Sequence, residues 1–115
     1  MKYAIQVNCG FTRSMLPVTA CRFIETALEG GNEVIRVFFY HDGVWNGVAC
    51  PQNPCAEDWP RLAERYRVEL VLCVTACENR GLTGATALLP GFRQGGLGLW
   101  MDACLRADRL LIFAD

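Results

Sequence analysis

Four short apolar runs punctuate the chain: Tyr3 to Val7, Val34 to Tyr40, Leu70 to Thr75 and Leu110 to Phe113. Three of them are nearly continuous in Val, Leu, Ile and Phe rather than alternating with polar residues. That is the pattern of strands covered on both faces, as in parallel sheets. Between them the period changes. Ala20, Cys21, Phe23, Ile24, Ala27 and Leu28 fall at helical spacing after Pro17, and Gly30-Gly31 supplies the stop. A second helix is predicted after Asp58, with Trp59, Leu62, Ala63 and Tyr66 on one face and Pro60 in its first turn. A third runs from about Leu97 to Ala107, with Trp100, Ala103, Cys104 and Ala107 as its apolar stripe. Strand and helix alternate from end to end. This predicts right-handed βαβ crossovers and one α/β domain over residues 1–115, a three-layer α/β/α sandwich around a mostly parallel sheet of four to five strands.

Two connections are long, and both leave the carboxyl ends of strands, where open α/β sheets build their sites. His41 to Glu57 is polar and rich in Gly, Pro and Asn. Cys77 to Gly96 is mixed, with a short helix expected around Thr83 to Leu89.

Charge and composition narrow the function classes. Eleven Lys and Arg against twelve Asp and Glu give a formal net charge of −1, with no cationic run. That disfavours nucleic acid or an anionic membrane as the main partner. The first apolar stretch holds Gln6 and is followed by Asn8, so it reads as a strand rather than the core of a signal peptide. No apolar run approaches the roughly 20 residues that span a bilayer. Seven cysteines cannot all pair within one chain. The expectation is a cytoplasmic protein with reduced thiols.

The cysteines divide by position. Cys21 and Cys104 fall on helix stripes and read as core, where cysteine behaves as a small hydrophobe. Cys9 follows the first strand, and Cys50 and Cys55 lie in the long second connection, where they have room to pair, to ligate metal or to do neither. Cys73 and Cys77 end the third strand in Leu72-Cys73-Val74-Thr75-Ala76-Cys77. A thiol beside free N–H groups at a helix start has its thiolate stabilised, which is the case for Cys77; Arg80 adds positive charge and Glu78 opposes it. The Cys-x3-Cys spacing is not that of thioredoxin-type exchange. A zinc site from Cys50, Cys55, Cys73 and Cys77 lacks the tight spacing of usual knuckles, so no metal is implied. The only histidine, His41, directly follows the second strand. It is a candidate base or electrostatic partner for a thiol, or simply a polar strand terminator. No Gly-x-Gly-x-x-Gly follows a strand, and there is no Walker loop and no Gly-x-Ser-x-Gly elbow, so no nucleotide cofactor is implied.

The segment Val37-Phe38-Phe39-Tyr40-His41-Asp42-Gly43-Val44 resembles the second-strand motif of the DsrE/TusD family of sulfur-relay proteins. Met1 to Val7 resembles that family's first strand. Leu72-Cys73-Val74-Thr75-Ala76 with Arg80-Gly81 resembles the strand bearing its sulfur-carrying cysteine. Phe92-Arg93 through Gly98 and Ala107 to Leu110 resemble its last helix and strand. The matches follow the expected order over nearly the whole chain. The resemblance implies a DsrE-like fold of flavodoxin or Rossmann type, and transfer of sulfane sulfur as a persulfide on Cys73. Cys77, His41 and Arg80 are accessory candidates, and no cofactor is implied. It further implies related subunits as partners, in a homo-oligomer or a heterohexamer, and a small sulfur-carrier protein with a cysteine-bearing tail. The family includes proteins of tRNA thiolation and of sulfur oxidation. Two departures stand out: Leu82 to Phe92 is shorter than in the family, and Cys77 replaces the usual alanine.

Two other readings compete with the carrier. One is a non-catalytic scaffold subunit, favoured if Cys73 is buried in its strand. The other is a small-molecule or nucleotide-binding domain using the same strand ends. Trp45, in its loop, and the Trp59 region are candidates for a subunit interface, although Trp59 reads more readily as core on its helix stripe.

Overall fold

The computed structural model describes residues 1–115. Five parallel strands form one sheet in the order β4-β3-β2-β1-β5. The strands are β1 (Lys2–Val7), β2 (Glu33–Phe39), β3 (Glu69–Cys73), β4 (Phe92–Gly95) and β5 (Arg109–Phe113). The helices are α1 (Leu16–Glu29), α2 (Asp58–Tyr66), α3 (Val74–Asn79) and α4 (Leu97–Arg106), with a 3-10 helix over His41–Gly47. No helix is long and apolar enough to cross a membrane.

The layers follow from strand alternation, in which successive side chains face opposite sides. Phe38 meets Trp100 of α4, with ring centroids 6.2 Å apart. Its neighbour Phe39 meets Trp59 of α2 edge-on at 5.2 Å. Helices α1 and α2 therefore cover one face and α4 the other. Ile5, Val7, Val37, Phe39, Leu70 and Leu72 are fully or almost fully buried beneath α1, α2 and the 3-10 helix. Tyr3 packs edge-on against Phe23 of α1. Pro17 sits in the first turn of α1, and the chain leaves that helix through Gly30 and Gly31, the latter at φ +88°. Only glycine adopts that angle without penalty.

The α4 side is more polar. Arg36, 5% exposed, donates to Glu69 from Nε at 2.8 Å, and from one terminal nitrogen to the Leu99 carbonyl at 2.8 Å and Asp102 at 3.0 Å. One guanidinium thus ties β2, β3 and α4 together. A fork of five donors suits that junction better than a lysine ammonium would.

Several expectations need correction. The third strand ends at Cys73, not Thr75; Val74 already begins α3. Phe92–Gly95 is a strand in its own right, pairing Leu70 with Phe92 through Cys73 with Gly95. With one apolar residue in four, this edge strand has no hydrophobic signature. No helix forms around Thr83 to Leu89; instead Leu88 makes an isolated antiparallel bridge with Val48. Cys104 is half-buried rather than core, because α4 buries only Ala103 fully. Trp59 is fully buried, as its stripe implied.

Candidate functional site

The carboxyl ends of β1, β2 and β3 converge under three short segments: residues 8–15, the 3-10 helix and α3. The 3-10 helix sits very close to β1. A Cβ added at Gly43 would lie 2.0 Å from the Val7 carbonyl oxygen, so that approach requires glycine. Fully buried Asn46 then locks the loops, donating from Nδ2 to the carbonyls of Cys9 (3.0 Å) and Gly43 (2.9 Å). Asn53 extends the chain by donating to the Asn46 carbonyl at 2.9 Å. Its Oδ1 accepts from the Cys55 amide at 3.0 Å. These two asparagines organise the long second connection. Sequence reasoning passed over them, because a buried asparagine inside a polar loop carries no pattern.

Cys73 stands at the junction itself, the last residue of β3 and the residue capping α3, with extended backbone at φ −61°, ψ 118°. It is 2% exposed. The strand-to-helix position expected for Cys77 therefore belongs to Cys73. Cys77 lies one turn on, on the inner face of α3, with no exposed surface. Burial pushes the Cys77 thiol up, and the neighbouring Cys73 thiol and Glu78 add to this while Arg80 opposes it. At neutral pH Cys77 is a thiol and a poor nucleophile.

Arg80 reaches back over the site. Its Nε donates to Asp42 Oδ1 at 2.8 Å and a terminal nitrogen donates to the Ala76 carbonyl at 3.1 Å. The pair links α3 to the 3-10 helix. Asp42 is mostly exposed, so the ion pair is worth under about 1 kcal/mol and serves position more than stability. His41 is brought to the same edge but not to the thiols. Its backbone is left-handed at φ +50°, and its exposed ring stacks on Tyr40 with centroids 4.0 Å apart. The histidine turns the chain out of β2; its neighbour Asp42 makes the contact to Arg80.

The other thiols lie apart. Cys9 is buried, with Sγ 3.8 Å from the Phe113 carbonyl oxygen, and burial raises its thiol. Cys50 donates to Gln52 Oε1 at 3.0 Å. It lines an apolar cleft of about 470 Å³ with Phe11, Trp45 and Val48. Trp45 also lines a smaller polar cleft with Gly10, Thr12, Arg13 and Asp42. Cys73 lines none of the clefts. Cys21 and Cys55 face each other between α1 and the start of α2, where the contact with Cys55 and then burial push the Cys21 thiol up, while Cys21 holds Cys55 down. The four cysteines Cys50, Cys55, Cys73 and Cys77 are not gathered into one site; Cys55 has Cys21 as its neighbour instead.

The model of the DsrE/DsrF-like family matches residues 1–113. A candidate sulfurtransferase, DsrE, of Allochromatium vinosum is 38% identical over an alignment of 130 positions that covers all of both chains. A TusD sulfurtransferase homologue of Vibrio vulnificus is 33% identical over 98% of both. Among solved structures, the ychN protein from E. coli superposes with a TM-score of 0.83 at 24% identity, covering 98% of this chain and 99% of that one. A protein of unknown function from Methanobacterium thermoautotrophicum gives 0.70 at 18% identity, covering 96% and 97%.

Proposed function

The chain belongs to the DsrE/DsrF-like family, and on that premise we propose that it is a sulfur-relay protein whose working thiol is Cys73. The observation that carries the reading is the position of Cys73, the one cysteine that ends a central strand and opens a helix at the carboxyl edge of the sheet. Relatives named as sulfurtransferases over their full length support the same chemistry. In the reaction the Cys73 thiolate attacks the outer sulfur of a donor persulfide. A new S–S bond forms, the donor's S–S bond breaks, and the donor leaves as a thiolate. The sulfane sulfur changes carrier with no net oxidation, so a single cysteine suffices. The acceptor is a cysteine on a small carrier protein, reached by the same exchange in the next step. All seven cysteines are free, which supports a reducing, cytoplasmic setting.

Partner subunits of the same fold are part of the proposal. Leu97, Met101 and Leu105 recur at i, i+4 and i+8 along α4 and are 49%, 63% and 86% exposed. Leu110 and Ile112 pair with Ala4 and Gln6 and are half exposed on the same side of the sheet, where α4 packs over β1 and β2 and leaves β5 uncovered. An apolar stripe beside an uncovered edge strand is the kind of surface that subunits cover. The apolar surface of α4 and β5 is thus an interface candidate in addition to exposed Trp45.

A second reading, a scaffold subunit with no working thiol, is favoured by the near-complete burial of Cys73. One experiment decides between the two. The protein is incubated with a persulfide donor, and intact masses are recorded for wild type, Cys73→Ser and Cys77→Ser. The carrier reading expects wild type and Cys77→Ser to gain the mass of one sulfur atom and Cys73→Ser to gain none. No gain by wild type selects the scaffold.

A further inference from the structure

The structure brings together three metal-binding side chains outside the Cys73 site. Cys21 comes from the second turn of α1, Cys55 from the end of the long connection, and Asp58 from the first residue of α2. Their ligand atoms all lie within 4.8 Å of one another. We propose that Cys21, Cys55 and Asp58 bind one thiophilic divalent cation of the zinc class.

The geometry suits that ion. Tetrahedral zinc holds thiolates at about 2.3 Å and carboxylate oxygens at about 2.0–2.2 Å, so neighbouring ligand atoms sit roughly 3.5 Å apart. Closing the present triangle onto an ion moves each ligand atom by less than about 1 Å. Cys55 is already positioned, because its amide is held by Asn53, which is itself buried and anchored on Asn46. Cys21 is fixed by the rigid face of α1. Asp58 donates no proton and gives one oxygen, Oδ1, to Arg61 at 3.0 Å, leaving the other free. Three protein ligands leave a fourth position, and a cleft of about 350 Å³ opens beside them, lined also by Arg22, Glu25 and Pro54. A water molecule fits there.

Binding balances as a proton exchange. Two thiols and one carboxylate take up one dication and release two protons, leaving a complex of charge −1. Arg22 on the cleft wall and Arg61 on Asp58 lie near that charge. The soft sulfur pair selects zinc, or cadmium and cobalt as its substitutes, over magnesium and calcium, which take oxygen ligands. The ion would clasp the loop that carries Cys55 to α1. It shares no residue with the Cys73 site, so the proposal stands whether or not Cys73 carries sulfur.

The test uses the intact, reduced protein freed of metal by chelation. Cobalt(II) is added first as a spectroscopic probe, then zinc(II) in competition with a chromophoric chelator. Expected are one equivalent bound per chain, a thiolate-to-cobalt charge-transfer band, and the visible bands of tetrahedral cobalt, bleached by zinc. Cys21→Ser and Cys55→Ser should each weaken binding by more than the roughly 10- to 100-fold that loss of an outer-shell partner costs. Asp58→Asn should weaken it less. Cys73→Ser should bind as wild type, and Cys21→Ser should still accept sulfur at Cys73. Far-UV circular dichroism checks each fold, and Cys21→Ala stands in if serine is not tolerated at the buried position. Absence of binding by reduced wild type, binding that survives loss of both Cys21 and Cys55, or binding lost in Cys73→Ser would overturn the proposal.

Discussion

Replacing Gly43 with alanine is expected to unseat the loop that closes the strand ends. The new Cβ would fall 2.0 Å from the Val7 carbonyl oxygen and 2.9 Å from its carbon, both backbone atoms that no rotamer change can move aside. Relief requires the 3-10 helix to withdraw by about an ångström or more, a small-to-large substitution of the kind that costs about 1–3 kcal/mol. The same displacement strains the bond from the Gly43 amide to the Tyr40 carbonyl (2.8 Å) and the bond from Asn46 to the Gly43 carbonyl (2.9 Å). Each adds about 1 kcal/mol, for a total loss of about 3–5 kcal/mol. That is a large part of the ~5–15 kcal/mol that stabilises a domain. At about 4 °C per kcal/mol, the melting temperature should fall by about 12–20 °C. Gly98→Ala is the control. It sits in the first turn of α4 with nothing within 4 Å of an added Cβ. There alanine should stabilise by up to about 1 kcal/mol through helix propensity. Urea and thermal unfolding followed by circular dichroism measure both. A Gly43→Ala protein within about 1 kcal/mol of wild type would refute the close seating of the 3-10 helix on β1.

Asn46→Ala should cost about 2 kcal/mol in the same urea titration, because it removes both donors' bonds and strands the buried Cys9 carbonyl; a loss near zero would show that the loops hold without it. Lysine at Met101 or Leu105 should leave the far-UV circular dichroism of the protomer unchanged while lowering the mass seen by light scattering during size exclusion, and an unchanged mass would remove α4 from the subunit interface. Arg36 first, and then Arg106, hold the Asp102 carboxyl below its usual range. Its contribution to stability is therefore present above the unfolded value of about 3.9 and lost as pH falls through the lower folded value. Wild type should lose stability more steeply than Asp102→Asn below about pH 4, and parallel acid titrations would contradict this. His41→Asn should load sulfur as wild type does, since the ring stacks on Tyr40 and asparagine also tolerates the left-handed backbone; a loading defect would give the imidazole a chemical role.

The fold was legible where burial is two-sided. β2 and β3 lie between helix layers and read as nearly unbroken apolar runs, β1 reads as a strand despite Gln6, and α1 and α2 turn the predicted stripes inward, with Phe23, Leu28, Ala63 and Tyr66 only partly buried. The fold was less legible where the sheet meets solvent: β5 was found from its apolar run, but that run reads as covered on both faces, whereas Leu110 and Ile112 are exposed at the sheet edge. β4 is an edge strand of Phe-Arg-Gln-Gly whose pairing is made by backbone groups, which have no sequence signature. α4 misled for a related reason: its apolar residues continue around the helix, so the stripe chosen for the core, including Cys104, was only half-buried, while Leu97, Met101 and Leu105 face outward. At the site, the position of Cys73 near the end of the third strand was legible in the motif, but the reach of Arg80 to Asp42 was not, because Arg80 was read only as a charge close to Cys77 in sequence. Nor was the order along the strand end. Ending β3 two residues earlier moves the junction from Cys77 to Cys73 and turns Cys77 inward. The Cys21–Cys55 encounter joins residues 34 positions apart, and no spacing rule relates a helix face to a loop.

The central claim is that one thiol among seven carries sulfur, and the most direct measurement is where the sulfur sits. After treatment of wild-type protein with a persulfide donor, free thiols and persulfides are alkylated and the protein is digested with trypsin. The peptide Val68–Arg80 contains both Cys73 and Cys77, and fragment ions between Val74 and Ala76 separate them. The account predicts one extra sulfur on Cys73, with Cys77 alkylated as an ordinary thiol or left unreacted. Sulfur on Cys77, or on another cysteine with Cys73 unmodified, would contradict it.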